Sequence, residues 1–288
     1  MDCPDAGTAR LLISCPDRPG IVAGVTGLLH ARGFNITALD QYSTDPRDGR
    51  FFMRLEFQLG SAGEPEALAD AFATQVAQGF DMTWQLGYSA QRRRMAILVS
   101  RHDHALMELL WRWARGELPV DIPLVISNHP DLRDAVEGFG VRFEHVPVLP
   151  DTHEEAEARM LALLERQAEF LVLARYMRIL SAAFVARYPL RIINIHHSFL
   201  PAFAGADPYR QAHEHGVKLI GATAHFVTPQ LDQGPIIEQD TARVSHRFSV
   251  AELRTLGRDL ERRVLARAVR CYVEDRILVH DNKTIVFD

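Results

Sequence analysis

From Met95 onward the sequence changes period, and that change limits what the rest of the chain can fold into. Residues 95–100, 122–127, 143–148, 170–174 and 192–196 are short apolar runs. Between them lie stretches of helical patterning near 104–115, 132–139 and 154–165. Strands that are apolar on both faces and alternate with helices predict a mainly parallel sheet covered on both sides. A further strand is expected over 219–227 and a long helix, rich in Arg and Leu, over 250–274. Sites in such sheets lie beyond the C-terminal ends of the strands, which is where the run 192–196 delivers Asn194 and His196.

The first ninety residues follow a different rule. Residues 8–14 read as a strand and 21–31 as a helix with one apolar face, stopped by Gly33. Strands over 36–43 and 51–59 flank Asp45-Pro46-Arg47-Asp48-Gly49, which is turn chemistry for a hairpin. A helix over 65–78 and a strand over 82–88 complete the order β-α-β-β-α-β, a split βαβ unit with a ferredoxin-like layer. The chain is therefore expected to be α/β with two domains, 1–90 and 91–288. Gln91-Arg92-Arg93-Arg94 at the joint reads as solvated charge.

Composition excludes several classes. With 47% hydrophobic and 24% charged residues the chain is neither disordered nor fibrous. A net charge of -5 argues against nucleic acid as partner. Cys3, Cys15 and Cys271 have no metal-type spacing. The N-terminus shows no secretory pattern, and no apolar run reaches the roughly 18–20 residues a membrane span requires. A cytoplasmic enzyme without membrane contact is expected.

Two segments carry the chemistry. The first is Ile193-Asn194-Ile195-His196-His197-Ser198-Phe199-Leu200-Pro201; the second is Leu231-Asp232-Gln233-Gly234-Pro235-Ile236-Ile237. Asn194 and His196 are two apart, so on a strand both leave the same face, while Asp232 arrives from a separate loop. An amide, an imidazole and a carboxylate supply the three needs of acyl chemistry: a donor to the carbonyl oxygen, a group that stabilises the oxyanion or carries a proton, and an acceptor that orients or deprotonates water. A metal reading is disfavoured, because adjacent His196 and His197 on a strand should project to opposite faces.

The stretch 191–240, including Pro201-Ala202-Phe203, Pro208-Tyr209 and Gly221-Ala222-Thr223-Ala224-His225-Phe226, resembles the formyltetrahydrofolate-dependent formyl-transfer fold, most closely its hydrolytic, deformylase branch. Arg175-Tyr176-Met177-Arg178-Ile179-Leu180-Ser181 is similar to that family's folate-pocket segment. Cys15-Pro16-Asp17-Arg18-Pro19-Gly20-Ile21-Val22 is similar to the opening of an ACT domain. The resemblance implies an ACT domain followed by a Rossmann-like formyltransferase domain, with Asn194, His196 and Asp232 catalytic. It implies that Arg178, Ile179 and Leu180 read the folate ring edge and that His225 supports the site.

In the ACT unit the expected effector residues are Asp17, Gly20 and Ile21, where a helix N-terminus receives the carboxylate of a small amino acid. Asn35 and Ile36 would complete that pocket across a subunit interface of a homo-oligomer. Methionine and glycine are the effectors the resemblance implies. The implied reaction is hydrolysis of 10-formyltetrahydrofolate to formate and tetrahydrofolate, balancing one-carbon pools and supplying formate for purine synthesis. No cofactor beyond the folate substrate is expected.

Two departures bear on the acceptor, and two smaller ones stand beside them. Where the ribonucleotide branch carries a glycine-containing phosphate loop, Ser100-Arg101-His102-Asp103-His104 has no glycine and an acid that would repel phosphate. The chain ends soon after Asp240, without the RNA-binding domain of the tRNA-formylating branch, so water is the expected acceptor. Asp207 and Ser245 stand where Asn and Asp are expected, the first adding a charge near the folate entrance. Formyl transfer to an unidentified amine stays open, as does an amino-acid-sensing protein with a vestigial enzyme domain.

Overall fold

The computed structural model describes residues 7–45, 47–59, 65–149, 151–201 and 207–288. Cys3, Pro46, Ala202 and Phe203, singled out above, lie outside the described residues. The chain divides into two compact units. One holds the residues up to Arg92 together with Glu274–His280 and Ile285–Asp288; the other holds Arg93–Val273 and Asp281–Thr284.

The first unit runs β1 (Thr8–Pro16), α1 (Ile21–Ala31), β2 (Asn35–Ser43), β3 (Arg50–Gln58), α2 (Pro65–Phe72) and β4 (Thr83–Tyr88). The helical patterning expected over 65–78 is broken after Phe72 into a π turn, Ala73–Ala77, and a 3₁₀ turn, Gln78–Phe80. The sheet is antiparallel in the order β2-β3-β1-β4. Strand alternation sends Leu11, Ile13, Met53, Leu55 and Phe57 to one face, where they pack on Val25, Leu29, Phe72 and Val76 of the helical layer. Arg54 is also buried, and its charge is satisfied: Nε donates to the Asp275 carbonyl at 2.9 Å, and Nη2 to the Glu274 carbonyl at 3.1 Å and to Glu56 at 3.0 Å.

The second unit begins with β5 (Arg93–Val99), α3 (His104–Ala114), β6 (Val120–Asp121), β7 (Leu124–Ser127), α4 (Arg133–Glu137), β8 (Arg142–His145) and α5 (His153–Leu164). It continues through β9 (Phe170–Leu173), α6 (Ala182–Ala186), β10 (Ile192–His196), α7 (Pro208–Glu214), β11 (Leu219–Phe226), β12 (Ile236–Arg243) and α8 (Val250–Val273). Near the C-terminus β13 (Ile277–His280) and β14 (Lys283–Val286) pair with each other. The large sheet has the order β12-β11-β10-β9-β5-β7-β8, with β6 beside β5. Pairings from β10 through β8 are parallel, while β11 and β12 run antiparallel. Met95 to Val99 are all buried, as a central strand covered on both faces requires. Among the described residues no helix is long and apolar enough to cross a membrane.

Candidate active site

β10 ends the parallel part of the sheet, and its last residues are Asn194, Ile195 and His196. The reversal at β11 sets His225 directly opposite Asn194 in register. A bulge between Ala224 and His225 in the β11–β12 pairing adds local twist at that position. Asp232 comes from the hairpin loop between β11 and β12, with a left-handed backbone (φ 54°) that Asp tolerates better than most residues. Gly234 makes the loop's return possible: a Cβ there would sit 1.7 Å from the Phe226 carbonyl oxygen.

These elements converge on a cavity of about 430 Å³. Its walls include Asn194, His196, His225 and Asp232, together with Arg178, Ile179 and Leu180. All seven residues expected at the catalytic and folate positions therefore line one space. Asp232 lies between two imidazoles, 3.3 Å from His196 Nδ1 and 3.6 Å from His225 Nε2. Hydrogen bonding from His196 first, and from His225 second, holds its carboxyl far below the ordinary carboxylate range despite burial. His225 Nδ1 donates to the Phe226 carbonyl at 2.9 Å, and Asn194 Nδ2 lies 3.2 Å from His225 Nε2. A carbonyl can only accept, so Nδ1 is the donor of that bond, and Nε2 is the ring nitrogen that faces both the Asn194 amide and the Asp232 carboxylate. His196 Nε2 is buried with no hydrogen-bond partner among the described residues.

The apolar rim has a framework of its own. Met177 and Ile179 are well exposed, but their backbone is tied down. Met177 N donates to Ser100 Oγ at 2.9 Å, and His153 Nε2 donates to the Ile179 carbonyl at 3.0 Å. Buried Glu157 accepts from Ser181 N at 2.7 Å and from the Ser181 hydroxyl, and Ser181 caps α6. Ser100 thus carries a backbone anchor for the rim where a phosphate loop would need glycine.

One expectation fails. His196 and His197 do not project to opposite sides; their rings stack with centroids 5.2 Å apart, and both line the cavity. The alternation of a strand stops with β10 at His196, so it does not govern His197. Burial, and then the nearby Arg175 charge, push the His197 ring down to about 3. Sequence reasoning did not name Arg175, His197 or Leu231 as wall residues, although each stands inside one of the motif segments quoted above. Asp207, flagged as an added charge, is paired with Arg254 at 3.0 Å and Arg210 at 3.1 Å.

Within the first unit the expected effector residues do not come together in a single chain. Asp17 and Gly20 sit by the end of β1, where Pro16 faces Arg50, whereas Asn35 faces Gln58 at the far end of β3. Ile21 is buried in the core, and Ile36 packs against it from the side.

The formyl transferase family profile matches residues 93–269, and the ACT domain profile matches 9–64. A formyltetrahydrofolate deformylase from Bacillus subtilis is 51% identical over 97% of this chain and 93% of its own length. One from Synechocystis is 52% identical over 97% of this chain and 98% of its own. The chain belongs to the formyltetrahydrofolate deformylase family. The crystal structure of a deformylase from Pseudomonas syringae superposes with a TM-score of 0.94 at 49% identity, covering 98% of this chain and 95% of that one. The deformylase fold, an ACT domain followed by a formyl transferase domain, is thus the fold described above.

Proposed function

We propose that this chain hydrolyses 10-formyltetrahydrofolate to formate and tetrahydrofolate, with Asn194, His196 and Asp232 as its catalytic groups. The observation that carries the reading is the carboxylate of Asp232, kept ionised between two imidazoles on the wall of a mainly apolar cavity. In this reading Asp232 orients and deprotonates the attacking water. An Asn194 N–H and the His196 ring stabilise the oxyanion as it forms, and His196 carries a proton to the departing nitrogen. Arg178, Ile179 and Leu180 hold the folate ring edge, and His225 fixes the orientation of Asn194. The product formate would supply purine synthesis and the free tetrahydrofolate would return to the one-carbon pool, in the cytoplasm.

The test is release of formate from the formyl-folate with no amine present. A strict requirement for an added amine would instead make the chain a transferase; no release under either condition would favour a vestigial enzyme. The reaction is read as needing no metal or other cofactor: among the described residues no group of three or more His, Cys, Asp or Glu side chains is placed to hold a metal ion. Exhaustive chelation should leave the rate unchanged, and loss restored by zinc would overturn that reading.

The first unit is read as regulatory. The N-terminus of α1, opened by Gly20 in a left-handed conformation and lacking a side-chain cap, would take the carboxylate of an amino acid such as methionine or glycine. Asn35 and Ile36 of a second copy would complete it. Leu39 and Tyr42, exposed on the edge strand β2, support assembly into a homo-oligomer.

A further inference from the structure

Behind the catalytic groups lies a second charged cluster. Glu261, midway along α8, is almost fully buried and holds groups from two other helices and from the loop after β9. Its Oε1 accepts from the Tyr209 hydroxyl at 2.8 Å, and its Oε2 lies 2.8 Å from His104 Nε2 and 3.4 Å from Arg175 Nε. These contacts hold its carboxyl down to about 2 against the opposing effect of burial. Gly257, one turn earlier, is required by this arrangement, because a Cβ there would meet the Tyr209 hydroxyl at 2.0 Å.

Arg175 is the incompletely satisfied member. Its side chain is only 10% exposed, its backbone is left-handed (φ 63°), and it lines the wall of the catalytic cavity. His104 and Tyr209 take the short hydrogen bonds to Glu261, and Arg175 is left with a long ion-pair contact. Its Nε makes no hydrogen bond among the described residues. A buried guanidinium presents five donors in a planar fork, and each donor left without an acceptor carries a desolvation cost. The shape that fits the fork is a planar carboxylate with two parallel oxygens.

We propose that Arg175, oriented by Glu261, forms a subsite for a small monocarboxylate, and that its ligand is the formate produced in the same cavity. This rests on the hydrolytic reading above. In the reaction, the water oxygen forms a bond to the formyl carbon, the carbon–nitrogen bond breaks, and its electron pair takes a proton at the folate nitrogen. The second proton of the water passes through Asp232 to solvent, so the one-carbon fragment leaves as the formate anion. It is released beside His196 and His197, on the wall that Arg175 shares. Arg178 also lines this cavity, but it is exposed to solvent. Because His197 is held neutral and Glu261 is already engaged by Tyr209 and His104, Arg175 is the buried cation on this wall with donor capacity to spare. The subsite predicts inhibition by formate and weaker inhibition by acetate, which adds a methyl group the buried wall must accommodate.

The test uses the full chain. Binding of ¹³C-formate is followed by NMR, and inhibition constants for formate and tetrahydrofolate are measured on the wild type, Arg175→Met and Arg175→Lys. The expected result is saturable formate binding to the wild type and loss of about tenfold or more in Arg175→Met, as removal of a charge-assisted bidentate pair implies. Arg175→Lys, which keeps the charge but not the fork, should fall between. The tetrahydrofolate constant should stay within about threefold in both variants, a change corresponding to less than one hydrogen bond; a general loss of structure would move it with the formate constant. Equal formate affinity in wild type and Arg175→Lys, or no saturable binding to the wild type, overturns the subsite. Since ¹³C-formate binding needs no turnover, a chain that binds formate but does not hydrolyse the formyl-folate would refute the hydrolytic reading and leave the anion site standing.

Discussion

The corner of β10, β11 and β12 and the N-terminus of α1 are both read as small-molecule sites, yet they are built from opposite materials. The corner depends on side-chain charge taken out of water. Asp232 touches two imidazoles and Glu261 touches three groups, so every ionised oxygen has a named partner. The α1 end depends on backbone: Gly20 has φ 94°, no side chain caps the helix, and no acidic residue occupies the first turn. Nearby side chains brace the loop rather than fill it, with Asp17 bonded to Ser43, and Arg18 bonded to the Gly79 carbonyl and stacked 4.9 Å over Phe80. Catalysis needs groups whose protonation is controlled, which burial and partners provide. Recognition of a carboxylate needs only aligned N–H groups.

The largest test of this contrast is Asp232→Asn. Losing a positioned general base costs ~10²–10⁴-fold, so formate release should collapse by at least ~10²-fold. Folate binding and any thermal response to amino acids should persist. Hydrolysis within about threefold of wild type, with normal substrate binding, would show that the base lies elsewhere.

Glu261→Gln should act on stability as well as rate. It leaves the Arg175 charge buried without its carboxylate, a type of change that costs about 3–5 kcal/mol. A denaturant midpoint equal to wild type would mean that the cluster contributes no net stability.

Acidification probes the same burial. His197 takes a proton near 6.5 when unfolded but only at about 3 in the folded chain, so between those values the unfolded state binds more protons. Glu261 adds stability that is full above about 4.5 and is lost as pH falls through about 2. Stability measured by urea titration should therefore decline as pH falls below 6.5, and His197→Phe should flatten the upper part of that decline. An unchanged slope in the variant would mean that His197 is not the group responsible.

The smallest expected effect is at Gly20→Ala. A left-handed backbone costs a residue with a Cβ about 1–2 kcal/mol, and the substitution should abolish the thermal shift produced by an amino-acid effector while formate release continues. An effector at about 100 times its dissociation constant stabilises by ~2.7 kcal/mol, so its loss is measurable. A full shift in the variant would move the effector away from α1.

Much of this protein was legible locally. The strands from Met95 to His196 announce themselves because a doubly covered strand must be apolar throughout, and Asn194 and His196 share a face because a strand repeats every two residues. Short or polar elements were silent: β12 carries Glu238, Gln239, Asp240 and Thr241, as an edge strand can, and α6 has only five residues. Arg54 and Glu261 were hidden for a related reason. Glu261 is a charge on a helix rich in charge, and Arg54 sits on the face of β3 opposite Met53 and Leu55, where charge is ordinary. Each is buried by partners far away in sequence. The sequence by itself determined most element types, the order of the two units and the shared face of Asn194 and His196, since these follow from periodicity and local backbone preference. Asp232 was picked out by the family resemblance of its motif. Only the tertiary structure decided that His197 turns into the cavity, that Asp232 lies between two rings, and that Glu261 gathers His104, Arg175 and Tyr209. Those outcomes depend on which distant groups meet where water is excluded, and no local pattern encodes that.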